Sequence, residues 1–367
     1  MSQEDASAPP FIPGLKLSEL FYGEAVKPLL EHYFQAVPYS AALLGPGSEV
    51  FGFDTVQSTD HDWGPRLLLF LTEEDYSHYH LEIDQMLRQK LPRQIHGYPT
   101  DYVKQGDHSV RTPDEPVEHS VRIFTVQGFF RTMLNFDPTQ EPSVVQWLTF
   151  PEQILRSVTA GQVFHDGLGQ LELVRGMLHY YPHDIWLYLL ACQWRRIAQE
   201  EAFMGRCGQV GDELGSRLVA ARLVRDLMRL CFLMERQYAP YIKWFGTAFA
   251  QLRCAAKLGA LLHQTLAAAD WQVREQALTV AYELVARLHN DLDITAALPT
   301  QVSSYYNRPF LVIHGDTFAE AIRARITNEE VRALPMYLGA LDQFIDSTDA
   351  LSHALRFNQF KSLYHTP

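Results

Sequence analysis

Cysteine is scarce in this chain, long apolar runs are missing, and cations are outnumbered. The four cysteines, Cys192, Cys207, Cys231 and Cys254, are spread over the second half of 367 residues without a CxxC pair. That spacing excludes a disulfide framework and the usual thiolate zinc ribbon, and no secretory signal precedes it; the expectation is reduced, mostly buried thiols in a cytoplasmic protein. No apolar run approaches the ~20 residues that span a bilayer, so no membrane association is expected. Lys and Arg number 31 against 43 Asp and Glu, a net charge of −12. Broad contact with a phosphate backbone relies on clustered cations, so nucleic acid is not expected as a partner. Internal repeats and low-complexity tracts are also missing, and the polar, Pro-containing start MSQEDASAPP reads as a disordered tip.

What the chain has is apolar bulk, 47% of its residues, enough to bury a large core in two or three domains. Residues 15–36 carry apolar side chains at helical intervals and end near Pro38. Tyr39 to Leu44 reads as a strand entering a Gly45-Pro46-Gly47-Ser48 turn, and Arg66 to Leu71 reads as a buried strand. Residues from Glu73 form an acidic-to-basic amphipathic helix that crosses back over the sheet. A turn-rich segment from Pro92 to Pro116 leads to an alternating strand, Val117 to Val126. Residues 162–173 look like a hairpin with Asp166-Gly167 at its turn. From Tyr181 the period changes to four long helical segments, followed from Asp293 by a loop, a short strand FLVIH and helices from Thr317 and Met336. The expected organisation is α+β: a mixed-sheet domain with flanking helices over 1–175, a helical bundle over 176–292, and a cap over 293–367 packed on the bundle.

Chemistry concentrates in GPGSEVFGFDTVQSTDHDWGPRLLLFL, where eleven residues separate Gly47-Ser48 from Asp60-His61-Asp62. If the second part is a strand, its period of two places Asp60 and Asp62 on one face and His61 on the other. Two carboxylates aimed at one point repel and resist desolvation, so a cation between them is the economical explanation. Oxygen-only ligands suit Mg2+, which is commonly shared with substrate phosphates. A turn at Gly47 lets the backbone approach a phosphate, and the Ser48 hydroxyl and neighbouring N–H groups can donate to it. Metal plus nucleoside triphosphate is therefore the expected ligand pair.

The order Gly-Ser, spacer, Asp-x-Asp entering a strand resembles the nucleotidyltransferase superfamily that includes DNA polymerase beta and the aminoglycoside and lincosamide nucleotidyltransferases. That resemblance covers about the first 170 residues. It implies that the Gly47-Ser48 turn holds the triphosphate, that Asp60 and Asp62 bind Mg2+, and that a third carboxylate on a neighbouring strand completes the site. Over its whole length the chain is also similar to a bacterial family of unknown function with a nucleotidyltransferase-like N-terminus, through STDHDWGPR (58–66), YYPHDIW (180–186) and YAPYIKWFGTAF (238–249).

Other candidates have plainer readings beside them. Glu118 is the candidate third ligand or general base, or else a solvated strand residue, and Arg122 on its face is awkward for a metal site. Lys243, near the start of a helix after Pro240, could meet the β- or γ-phosphate or simply snorkel at the surface. His78 and His80, two apart on a helix, do not share a face for zinc. Arg222, Arg225 and Arg229 form one helix stripe that could line a cleft for anions, with a solvated face as the favoured reading. Glu200-Glu201 reads likewise as a solvated face, and Tyr305, Tyr306 and Phe310 around Arg308 could cover a base or pack the cap.

The expected function is Mg2+-dependent transfer of a nucleoside monophosphate, AMP from ATP, to a small cytoplasmic acceptor. Two alternatives are a nucleotide-binding regulator impaired in catalysis and an antitoxin-like transferase that adenylylates a protein acceptor.

Overall fold

A computed structural model describes residues 9–60, 63–101 and 115–364, an α+β arrangement. The chain divides into two units, Met1–Glu141 with Ile154–His179 and Pro142–Gln153 with Tyr180–Pro367. Among the described residues no helix is long and apolar enough to cross a membrane.

The first unit opens with α1 (Gly14–Phe21), a π segment (Tyr22–Val26) and α2 (Lys27–Tyr33) in direct succession. The π widening falls just before Pro28, which has no amide hydrogen for the carbonyl four residues back and whose ring crowds it. Leu17, Phe21, Val26 and Leu30 turn inward along this helix. β1 (Ser40–Leu43) and β2 (Arg66–Leu71) pair antiparallel; α3 (Glu73–Lys90) then connects β2 to its parallel neighbour β5 (Ser120–Thr125). A parallel pair needs such a crossover. α3 follows the charge pattern of its sequence: Thr72 caps it by accepting from Asp75 N at 3.0 Å, its first turn holds Glu73, Glu74 and Asp75, and its last holds Arg88 and Lys90. The short β3 (Gln94–Ile95) and β4 (Tyr98–Pro99) form a separate pair. β6 (Gln162–Asp166) completes a four-stranded sheet in the order β5-β2-β1-β6.

Both sheet faces are covered, which is why β2 reads as an uninterrupted apolar run. Leu67, Leu69 and Leu71 join Leu17, Phe21, Ile83, Leu87 and Val121 in one core. On the other face Phe70 meets Phe129 edge-on at 5.5 Å, from α4 (Val126–Leu134), whose cap is Thr125. The expected strand over Val117–Val126 is therefore shorter at both ends. The expected hairpin at Asp166-Gly167 does not form. Asp166 instead ends β6 and accepts from Ser40 Oγ at 2.6 Å and from Glu172 N at 3.0 Å, so it opens α7 (Leu171–Met177) in place of a return strand.

In the second unit α5 (Val144–Thr149) starts on a Ser143–Gln146 capping box. α6 (Glu152–Thr159) runs across the division of the chain. α8 (His183–Glu200), α9 (Phe203–Gln209), α10 (Glu213–Met234), α11 (Ile242–Phe249), α12 (Ala255–Ala267) and α13 (Trp271–Asn290) follow. The third of the four long helical segments expected after Tyr181, residues 241–266, is broken, because Glu235 accepts from the amides of Arg253 and Cys254 at 2.9 and 2.8 Å and starts α12 afresh. β7 (Ser303–Ser304) and β8 (Leu311–Val312) pair before α14 (Gly315–Arg323), which lies on α8 with Trp194 and Phe318 stacked at 4.2 Å. The helix expected from Met336 reduces to α16 (Leu341–Phe344), after α15 (Glu329–Arg332) and before α17 (Ala354–Phe360), because Pro335 and the positive-φ Gly339 hold a turn there.

Candidate functional site

The Gly-Ser turn leaves β1 with Gly45 N donating to Ser157 O at 2.8 Å. Gly47 has φ of +147°, and a Cβ there would lie 2.6 Å from the Glu49 carboxylate and 2.7 Å from Arg66 Nη2. Only glycine fits that backbone and that space. Beneath the turn Glu49, 2% exposed, pairs with Arg66 at the first position of β2, and Arg66 Nη2 also donates to Pro46 O at 3.3 Å. Burial pushes the Glu49 carboxyl up while the Arg66 cation opposes it. Ser48 begins a 3-10 turn (Glu49–Phe51) and accepts from Phe53 N through its carbonyl at 2.9 Å. Its hydroxyl, and the amides of Gly47 and Ser48, make no hydrogen bond among the described residues, and both residues are half-exposed. A strut of opposite charges thus braces a turn whose outer donors are open.

Asp60 closes a second 3-10 segment (Val56–Asp60), six residues before β2 begins at Arg66, so Asp60 does not stand on the strand expected to carry it. Local bonds explain the difference: Thr55 N donates to Ser58 Oγ at 3.0 Å and Ser58 N to Thr55 O at 2.8 Å, while Gly64 is at φ +137° and Pro65 offers no ladder donor. The loop is pinned from outside by Asp54, which accepts from Gly14 N at 2.6 Å and Trp63 Nε1 at 3.0 Å. Trp63 stacks on Phe11 at 5.8 Å. His61 and Asp62 lie outside the described residues.

Glu118 is exposed and sits two residues before β5, with its amide donating to Asp101 Oδ1 at 2.7 Å; Arg122 is exposed on the strand itself. Asp101 in turn is 3.6 Å from Arg93. Register explains what the sheet collects. β1 and β2 are antiparallel with Ala42 opposite Leu68, β2 and β5 are parallel with Arg66 opposite Ser120, and β6 starts opposite Leu43. The end of β1 and the starts of β2, β5 and β6 therefore share one sheet end. Gly47-Ser48, Asp60 and Glu118 all belong to segments at that end. Lys243 is not among them: it is exposed on α11 of the second unit, with Nζ 5.0 Å from the Trp244 ring.

Glu49, Arg66, Asp54 and Asp101 were not singled out from the sequence. The available signal was a charge placed against an apolar run, Arg66 ahead of Leu67 to Leu71 and Glu49 ahead of Val50. Among the described residues no three His, Cys, Asp or Glu side chains are grouped as a metal site.

The model of a family described as a domain of unknown function (DUF4037) matches residues 147–245, about a quarter of the chain. The match takes in 180–186 and 238–245. A search of curated proteins finds none that matches this chain.

Proposed function

We propose that the chain is a Mg2+-dependent nucleotidyltransferase that moves AMP from ATP to a small acceptor. The observation that carries this reading is the convergence at one sheet end of a braced glycine turn with open donors, the Asp60 segment and Glu118. The donors of Gly47 and Ser48 would cradle the triphosphate. Asp60 and Asp62 are hard oxygen donors of the kind Mg2+ takes; they would hold the ion, which offsets negative charge on the α-phosphoryl group and on the leaving pyrophosphate. Glu118 would accept the acceptor's hydroxyl proton as its oxygen attacks the α-phosphorus; the new O–P bond forms as the bond to the bridging oxygen breaks, and that electron pair leaves with pyrophosphate.

The resemblance of 45–71 to the nucleotidyltransferase superfamily supports the same reading. A second reading, a nucleotide-binding regulator, draws on one observation: Glu118 lies before β5 rather than on it, and Arg122 occupies the strand face. Pyrophosphate release from ATP and Mg2+ across a panel of small hydroxyl and amine compounds separates them. Release that disappears in Asp60→Asn with Asp62→Asn supports transfer to a small acceptor; binding without release supports the regulator; label appearing on a lysate protein supports a protein acceptor.

A further inference from the structure

The arginine stripe of α10 is only in part the solvated face expected from its sequence. Arg222 is 61% exposed and pairs with Glu200 at 2.6 Å, but Arg225 is 33% exposed and Arg229 only 11%. Arg225 and Arg229 line a small solvent-open cleft within the second unit, together with Tyr241, Phe245, Asp342 and Asp346. The lining residues on α6, α10 and α11 fall inside the span matched by the family of unknown function.

Neither guanidinium donates a hydrogen bond to the protein among the described residues. Arg225 has one ion pair, 3.5 Å from the carboxylate of Asp346, which is 80% exposed; Arg229 has one, 3.7 Å from Glu152, and its buried Nε has no acceptor. Each guanidinium carries five donors, and largely buried donors are rarely left without acceptors. Arg274 shows the ordinary solution in this same unit, bonded to Ser216, Glu213 and Ala268 O.

The acids beside Arg229 also accept from the backbone. Glu152 accepts from Ala239 N and Asp342 from Glu152 N, both at 3.0 Å. Burial pushes the Asp342 carboxyl up against the pull of Arg229, and burial with the Arg229 cation alongside lowers Arg225. The two cations thus act on each other in a cleft that Asp342 and Asp346 also line. The start of α11 reaches the same cleft at Ile242, whose amide has no partner within the helix, while Trp244 N donates to Tyr241 O at 2.9 Å. Phe245 lies under the Arg229 guanidinium at 5.7 Å and gives the cleft an apolar floor.

We propose that this cleft binds the oxyanion group, phosphoryl or carboxylate, of a small molecule through Arg225, Arg229 and the Ile242 amide that opens α11. Asp346 occupies the outer edge of Arg225 until the ligand displaces it. The proposal is independent of the nucleotidyltransferase reading, which concerns the other unit.

Calorimetry in chloride-free buffer, without nucleotide or metal, tests it with inorganic phosphate and with acetate on the full chain. Binding of at least one is expected, and which of the two binds identifies the group as phosphoryl or carboxylate. Arg225→Gln should weaken it about ten-fold or more, the scale of one charge-assisted hydrogen bond. Asp346→Asn, which removes only a competing carboxylate, should tighten it, and Asp60→Asn with Asp62→Asn should leave it unchanged. No binding of either ion, or equal binding by wild type and Arg225→Gln with both variants folded by circular dichroism, would overturn the site.

Discussion

Gly47 shows how one residue sets the geometry of the turn that follows β1. Its φ of +147° and the Glu49 and Arg66 atoms where a Cβ would lie mean that Gly47→Ala must shift the turn or the ion pair beneath it. The expected cost is about 2 kcal/mol, read as a lower urea midpoint at unchanged slope. The pair itself is the second residue-scale test. Arg66→Met leaves Glu49 buried without its cation and should cost about 3 kcal/mol, while Glu49→Gln added to Arg66→Met should recover much of that. A double variant no more stable than Arg66→Met alone would show that the pair does not brace the turn. The glycine was legible from its place between two strands. The pair was not, because nothing local in the sequence says that residues 49 and 66 meet; only the β1–β2 register brings them together.

Among the elements, α13 and α14 hold a buried switch of stability. His289 on α13 is fully buried, edge-on to the stacked Trp194 and Phe318, with Nε2 3.2 Å from Thr295 Oγ1 and no partner for Nδ1 among the described residues. Burial lowers its pKa from 6.5 to about 4. The unfolded chain therefore takes up a proton below pH 6.5 that the folded chain refuses down to about pH 4, and stability falls as pH drops through that window. The loss reaches at most about 3 kcal/mol. Urea titrations across the window should show a smaller pH slope for His289→Phe than for wild type; equal slopes would place the pH dependence elsewhere. Elements with strong caps and long periods were readable, α3, α10 and α13 above all. The errors came where one signal serves two structures. Asp166-Gly167 marks a hairpin turn, yet the Asp166 carboxylate also accepts from Glu172 N in the first turn of α7, and Ser40 and the buried Leu171 and Val174 decide for the helix. Likewise the run before Asp60 folds on its own side chains at Thr55 and Ser58, which a period-two pattern does not reveal.

At the scale of the whole molecule, charged chemistry is divided between two units, a glycine turn over the buried Glu49–Arg66 pair in the first and a cleft lined by Arg225 and Arg229 in the second. The net charge of −12 argues against a long phosphate backbone spread over a basic surface. The first site carries the central claim, that Asp60 and Asp62 hold Mg2+ for a nucleoside triphosphate placed by Gly47 and Ser48. Calorimetric titration of ATP into wild type and into Asp60→Asn with Asp62→Asn, each with and without Mg2+, tests it most directly. The account predicts that Mg2+ strengthens ATP binding about ten-fold or more in wild type and adds nothing in the variant. Equal Mg2+-dependent binding by the two folded proteins would contradict it.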